Sequence, residues 1–286
     1  MKKYYHILIL SLLFGACGTN KNLVATDSKT ATVITEETST SEDIQNEPKI
    51  AVVSEAVPSK ADTIIDQLPM VVEVFNHSGW NQLLKKHVSK DGRVNYEGFR
   101  NDKGILRDYI ASLGDNMPTY NWSQEDKLAF WMNAYNAMTV DLIVRNLPLA
   151  SIKDIDKPWD QRLWKLDTKW YNLDEIEHQI LRKMGDARIH FGINCASFSC
   201  PPLLPTAFTS QNVDKQLDFL AKGFVNDARR NQISADNIEI SKIFSWFAKD
   251  FKSDGSLIDF LNQYSETTIN PKARKSFMDY DWTLNK

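Results

Sequence analysis

The chain has 286 residues, with 34 lysines and arginines against 37 aspartates and glutamates and a formal net charge of -3. Charges of both signs are interspersed and no basic stripe stands out, which argues against nucleic acid as a partner. No internal repeat and no glycine-rich phosphate loop occur, so a solenoid and a nucleotide-binding loop are not indicated either.

At the start of the chain Lys2 and Lys3 precede an apolar run from Ile7 to Phe14, followed by Gly15, Ala16 and Cys17. A positive start, a short hydrophobic stretch and small residues form the pattern of a secretory signal, and the run is too short to span a bilayer. Phe14-Gly15-Ala16-Cys17 resembles a bacterial lipobox. That resemblance implies cleavage after residue 16, acylation of Cys17 (diacylglycerol and palmitate-type chains) and a cell-envelope lipoprotein anchored on the periplasmic side or at the cell surface. Two or more acyl chains hold a protein on a membrane stably, whereas one does so only marginally.

Residues 17–67 carry no aromatic side chain, and Thr, Ser, Glu, Asp, Asn and Lys dominate. Such a segment buries too little apolar surface to offset its ordering entropy, and is expected to be a disordered stalk reaching roughly 35 to 40 Å. All eight tryptophans lie in residues 68–286, which are expected to form a single domain of class α+β, rich in helix, with short strands and hairpins.

Within that domain Trp80, Leu83, Leu84 and Val88 recur at helical spacing, predicting a helix over 80–88, followed by a turn and strand through Asp91–Tyr96 and a helix over 103–113. Ser123 with Asp126 predicts a capped helix running to about Asn146 and stopping before Pro148. That helix is apolar on all sides, so it is expected to be buried. Asn133 and Asn136 are then inside protein and need hydrogen-bond partners.

A hairpin is expected around Asp167-Thr168, then a helix from Leu173 to Met184 with Asn172 as its cap and Gly185 as its stop. At 100° per residue Glu177 falls within the apolar stripe of this helix and His178 near the opposite side. Arg188–Ile193 reads as a strand by alternation, and Cys195–Pro202 as a loop. A helix near 213–228, a hairpin through Ile233 and Ile238, and helices near 242–251 and 256–264 complete the reading.

Phe130–Ala137, Leu173–His178, His190–Pro202, Lys242–Phe251 and the closing Tyr280–Asn285 together resemble the DUF547 family of uncharacterised proteins, in the family's order and over nearly all of residues 75–286. The resemblance implies one domain and no established activity.

The residues themselves admit three functional readings. Cys195, with His178 or Glu177, can form a thiol nucleophile and its base, as can Cys200 with His190. Cys195 and His190 are expected about 16 Å apart if the chain between them is extended. Asn133 or Asn136 can orient a base or donate to an oxyanion. Alternatively Cys195 and Cys200 can form a disulfide, as export to an oxidising compartment permits, within a binding or structural module that catalyses nothing. A metal site from His178, His190, Cys195 and Cys200 is the third reading, although their spacing matches no common zinc motif. The sequence tips slightly towards the non-catalytic module, assigns no cofactor and no metal, and leaves any small-molecule or peptide ligand and the oligomeric state open.

Overall fold

A computed structural model describes residues 75–286. These belong to the second of the two units into which the chain divides, Met1–Ile65 and Asp66–Lys286. The signal-like segment 1–16, Cys17 and nearly all of the expected stalk lie in the first unit, and all of them fall outside the described residues. Among the described residues there are nine helices, and the five strands form one two-stranded and one three-stranded sheet, an α+β architecture dominated by helix.

Helix α1 (Ser78–His87) packs on α2 (Tyr96–Asn101) and α3 (Lys103–Asp115), and these two pack on α4 (Gln124–Asn146), the longest element. Ser123 caps α4 by accepting the Asp126 backbone N–H at 3.0 Å. From Leu128 to Val144 every residue of α4 is buried, as its apolar circumference predicts. Its one internal acid, Asp141, is fully buried and accepts from Arg107 Nε at 3.1 Å, Arg145 Nε at 2.6 Å and Trp164 Nε1 at 2.9 Å. Burial of this charge is thus compensated by three donors.

The hairpin of β1 (Trp164–Leu166) and β2 (Lys169–Tyr171) forms around Asp167 and Thr168. Next comes α5 (Leu173–Glu175), which continues as a π-helical turn over Ile176–Ile180 and a 3-10 turn over Leu181–Met184, ending at Gly185 with φ +80°. The expected helix is therefore present, with an irregular middle of the kind that π turns mark at functional sites.

Residues 188–193 are not a strand. Ile189–Gly192 form a single helical turn, α6, and all four residues are buried. Alternation on the page reflected no division into inner and outer faces, because both sets of side chains are enclosed. Gly192 lies close against α4: a Cβ at this position would lie 2.0 Å from Met132 Cε, and the end of that side chain would have to move.

Helix α7 (Val213–Val225) covers α6. In the three-stranded sheet β3 (Gln232–Ile233) and β4 (Asn237–Ile240) form the expected hairpin, and β5 (Arg274–Phe277) adds to β4 in parallel. The helix expected near 242–251 is instead two short turns, α8 (Ile243–Trp246) and a 3-10 turn at Asp250–Lys252, whereas α9 (Leu257–Tyr264) matches expectation. Residues 91–95 likewise form no strand beyond the Val88–Val94 bridge, because Asn95 accepts the Gly98 N–H and starts α2.

The chain closes as an extended strap. Thr283 bridges to Ser151 and Leu284 to Ser197, while the Asn285 carbonyl accepts from Val94 N–H at 2.8 Å. Residues from near the start of the domain and from its end thereby meet over the Cys195–Cys200 loop.

Candidate active site

The loop after α6 is fixed from both sides by buried amides. Asn136 on α4 donates to the Gly192 carbonyl at 2.9 Å and accepts the Asn194 N–H at 2.8 Å. Asn194 donates onward to the Pro201 carbonyl at 2.7 Å and accepts the Ala196 N–H at 2.8 Å. Asn285 of the closing strap donates to Asn194 at 3.2 Å and accepts from the Tyr96 hydroxyl at 2.6 Å. Held in this way, Ala196 adopts φ +61°, a conformation costing about 1 kcal/mol or more for a residue with a Cβ. Such strain persists only where surrounding contacts over-determine it, and here it follows Cys195 directly.

Cys195 lines a cavity of about 410 Å³, with Glu177, His178, His190, Cys200, Tyr135 and Tyr280 among its walls and Trp159, Trp246 and Trp282 as its aromatic side. The Cys195 sulfur is 3.0 Å from Cys200 Sγ, 3.0 Å from Ser197 Oγ and 3.3 Å from the Tyr280 hydroxyl. No disulfide joins the two cysteines in this structure. Hydrogen bonding from the Cys200 thiol, with Tyr280 and the Ser197 backbone N–H as further donors, outweighs burial and lowers the Cys195 thiol to about 6. Cys200 shifts the opposite way, pushed up by burial and by its neighbour. A thiolate is therefore favoured on Cys195 and a thiol on Cys200.

His190 is 2 % exposed, stacks on Phe247 with ring centroids 3.8 Å apart, and lies 2.8 Å through Nε2 from Asp250 Oδ2. Arg182 grips the same carboxylate with two bonds, Nε to Oδ2 at 2.6 Å and Nη2 to Oδ1 at 2.7 Å. Burial raises the Asp250 carboxyl, but the hydrogen bonds from His190 and Arg182 prevail and hold it well below the usual carboxylate range. An ionised Asp250 can only accept, so His190 carries its proton on Nε2 and leaves a lone pair on Nδ1. That Nδ1 is buried with no hydrogen-bond partner. Burial also lowers the His190 pKa against the pull of Asp250, which keeps the ring neutral and basic at Nδ1. Cys195 and His190 share the cavity without a direct hydrogen bond, an arrangement common in sites that tighten only around substrate.

The other expected site residues fall into place differently. His178 lines the cavity, but its Nδ1 receives Arg182 Nη1 at 3.1 Å and its Nε2 lies 3.5 Å from Asp174. Both nitrogens are engaged, so His178 supports Arg182 and is poorly suited to act as the base. Glu177 is buried as its helical position predicts. Its partner is the Tyr135 hydroxyl at 3.1 Å, with no cation within ion-pair distance among the described residues, and burial pushes its carboxyl up to about 7. Asn133 stands outside the cavity lining, where both ends of its amide pair with the Phe208 backbone, at 2.8 and 3.1 Å. It fastens the 205–208 segment to α4 and is not placed to meet an oxyanion.

The 16 Å separation expected of Cys195 and His190 disappears with the strand. A helical turn rises only about 1.5 Å per residue, and α6 returns His190 to the same cavity as Cys195. Asp250, Arg182, Ser197 and Tyr280 were not singled out by sequence reasoning. Asp250 and Tyr280 lie in the segments that carry the family resemblance, but no spacing ties either of them to the cysteine.

Among the described residues no group of three or more His, Cys, Asp or Glu side chains is arranged to hold a metal ion. No described helix is long and apolar enough to cross a membrane. Residues 119–225, from just before α4 to the end of α7, match the family described as "Protein of unknown function, DUF547". The chain thus contains a DUF547 segment. Searches of curated proteins and of solved structures returned no match. The DUF547 segment holds Cys195, His190 and Arg182, while Tyr280 reaches the cavity, and Asp250 the His190 ring, from beyond it.

Proposed function

We propose that the domain is a thiol-dependent acyl hydrolase or transferase, with Cys195 as nucleophile, His190 as base and Asp250 as the group that orients the imidazole. The observation that carries this reading is the state of His190: Nε2 is fixed on an ionised Asp250 and Nδ1 is buried without a partner in a cavity wall shared with an acidic thiol. A buried lone pair without a donor is costly, and a proton taken from a reacting group would satisfy it.

The chemistry follows from these states. The Cys195 thiolate attacks a carbonyl carbon; the new C–S bond forms as the carbonyl π pair moves to oxygen, and collapse expels the leaving group as an anion and leaves a thioester. Water, or another hydroxyl or amine acceptor, then attacks the thioester while His190 Nδ1 takes its proton. The C–S bond breaks, the thiolate is regenerated, and the imidazolium proton neutralises the departed anion. Because the resting imidazole is neutral, leaving groups that depart as anions, such as those of esters and thioesters, suit the site best.

Release of p-nitrophenol from p-nitrophenyl acetate tests this reading. A stoichiometric burst followed by slow turnover is expected, and Cys195→Ala should abolish both. His190→Ala should preserve the burst but slow turnover by about 10²- to 10⁴-fold, the range for loss of a general base. Turnover by Cys195→Ala at the wild-type rate would refute the assignment.

The same proposal places the domain on a membrane through acylated Cys17, on the strength of Phe14–Cys17 and the apolar run before it. Cys17→Ser should move the protein to the soluble fraction, and continued lipid labelling of that variant would contradict the anchor.

A further inference from the structure

Resting on the nucleophile assignment above, we propose that the Tyr280 hydroxyl is a catalytic donor that receives the negative charge on the substrate carbonyl oxygen when Cys195 attacks. The oxyanion lies two bonds from the attacking sulfur, so a donor already 3.3 Å from that sulfur and lining the same cavity is within reach of it.

The backbone of the loop leaves little alternative. Cys195 N–H is donated to Cys200 Sγ at 3.0 Å and Ala196 N–H to Asn194. Phe198 and Ser199 N–H go to the Thr283 and Asp281 carbonyls, and Cys200 N–H to Ser197. The exception is Ser197, whose backbone N–H makes none of these bonds and lies near enough to the Cys195 sulfur to help lower its pKa. It can serve as a second donor beside Tyr280, since two donors are the usual complement of such a site.

The hydroxyl proton of Tyr280 is free for this task. Ser197 Oγ donates to the Tyr280 oxygen at 2.9 Å, so the tyrosine's own proton points elsewhere, towards the sulfur. Burial and the neighbouring thiols raise its pKa, and the group stays protonated at all working pH values. Its ring packs against both Trp246 and Trp282, with centroids at 4.8 and 4.5 Å, and the two indoles stack on each other at 5.7 Å. The strap that carries it is pinned to the cysteine loop by Ser199 Oγ, which accepts Asp281 N–H at 2.9 Å. During attack the carbonyl π pair moves to oxygen, which accepts the Tyr280 O–H. On collapse that pair re-forms the double bond as the leaving group departs, and Tyr280 keeps its proton throughout.

Two reagents separate this role from simple support of the thiolate. Iodoacetamide alkylates Cys195 without forming an oxyanion, whereas p-nitrophenyl acetate acylates it through one. Both rates are measured on the full chain and on Tyr280→Phe, which keeps the ring packed against its tryptophans, at a pH above the thiol midpoint of each protein. The substitution is expected to slow acylation by about 10²- to 10³-fold while alkylation continues at close to the wild-type rate. Equal loss of both rates, or loss of neither, would overturn the inference and leave Cys195 as the nucleophile. If wild-type Cys195 reacts with neither reagent faster than a free thiol, the nucleophile assignment fails and this inference with it.

Discussion

Glu177 shows how one side chain records the character of the cavity. Its carboxyl is enclosed beside the Tyr135 hydroxyl, and burial raises its pKa from the usual carboxylate value to about 7. The folded protein therefore binds a proton there that the unfolded chain releases near pH 4.5, so stability falls as pH rises between those values. By linkage this group alone removes about 3 kcal/mol between pH 4 and pH 8. Glu177→Gln keeps an acceptor for Tyr135 and carries no charge. Denaturant unfolding as a function of pH should show that decline in the wild type and a flatter profile in the variant, with the variant the more stable at pH 8. An unchanged pH dependence would mean that Glu177 is solvated and ionised throughout. Its buried position was legible from the helical stripe of Leu173, Ile176 and Ile180. Its partner was not, because Tyr135 comes from α4, 42 residues earlier in the chain.

At the scale of elements, α4 both builds the core and aims the nucleophile. The capped, apolar-sided helix over 124–146 was readable because capping and periodicity are local signals. The same holds for the β1–β2 hairpin and for the stop at Gly185. Elements defined by tertiary contact were not readable in this way: α6 mimics a strand because all its faces are buried, β5 pairs in parallel with β4 across 33 intervening residues, and the closing strap has no periodicity at all. Asn136 links the two kinds of element. Its amide satisfies the Gly192 carbonyl and the Asn194 N–H together, and Asn136→Ala strands both inside the protein. A loss of roughly 2 to 4 kcal/mol is expected, along with slower alkylation of Cys195 as the loop relaxes. Wild-type stability in Asn136→Ala would show that water replaces the amide and that α4 does not fix the loop.

Over the described domain as a whole, the site is assembled from six separate stretches of chain: α4 through Tyr135, the segment 157–160, the irregular helix of residues 173–184, α6 with its loop, the turns at 243–252 and the C-terminal strap. Residue types alone located the thiols and histidines, and they paired Cys195 with His178 or Glu177 and Cys200 with His190. Arg182 and Asp174 occupy both nitrogens of His178, and Asp250 takes up His190 instead. The account as a whole depends on Cys195 being a thiolate at a pH where ordinary cysteines are thiols. Iodoacetamide alkylation as a function of pH, with the modified residue located by mass spectrometry, measures this directly. The thiol near 6 predicts a rate profile with its midpoint there. At pH 6 a gain of about 160-fold in thiolate fraction, reduced about 13-fold by the lower nucleophilicity of an acidic thiol, leaves modification at Cys195 roughly tenfold faster than a free thiol. A midpoint near 8.5, the value of an ordinary cysteine, or modification at Cys200 in place of Cys195, would contradict the account.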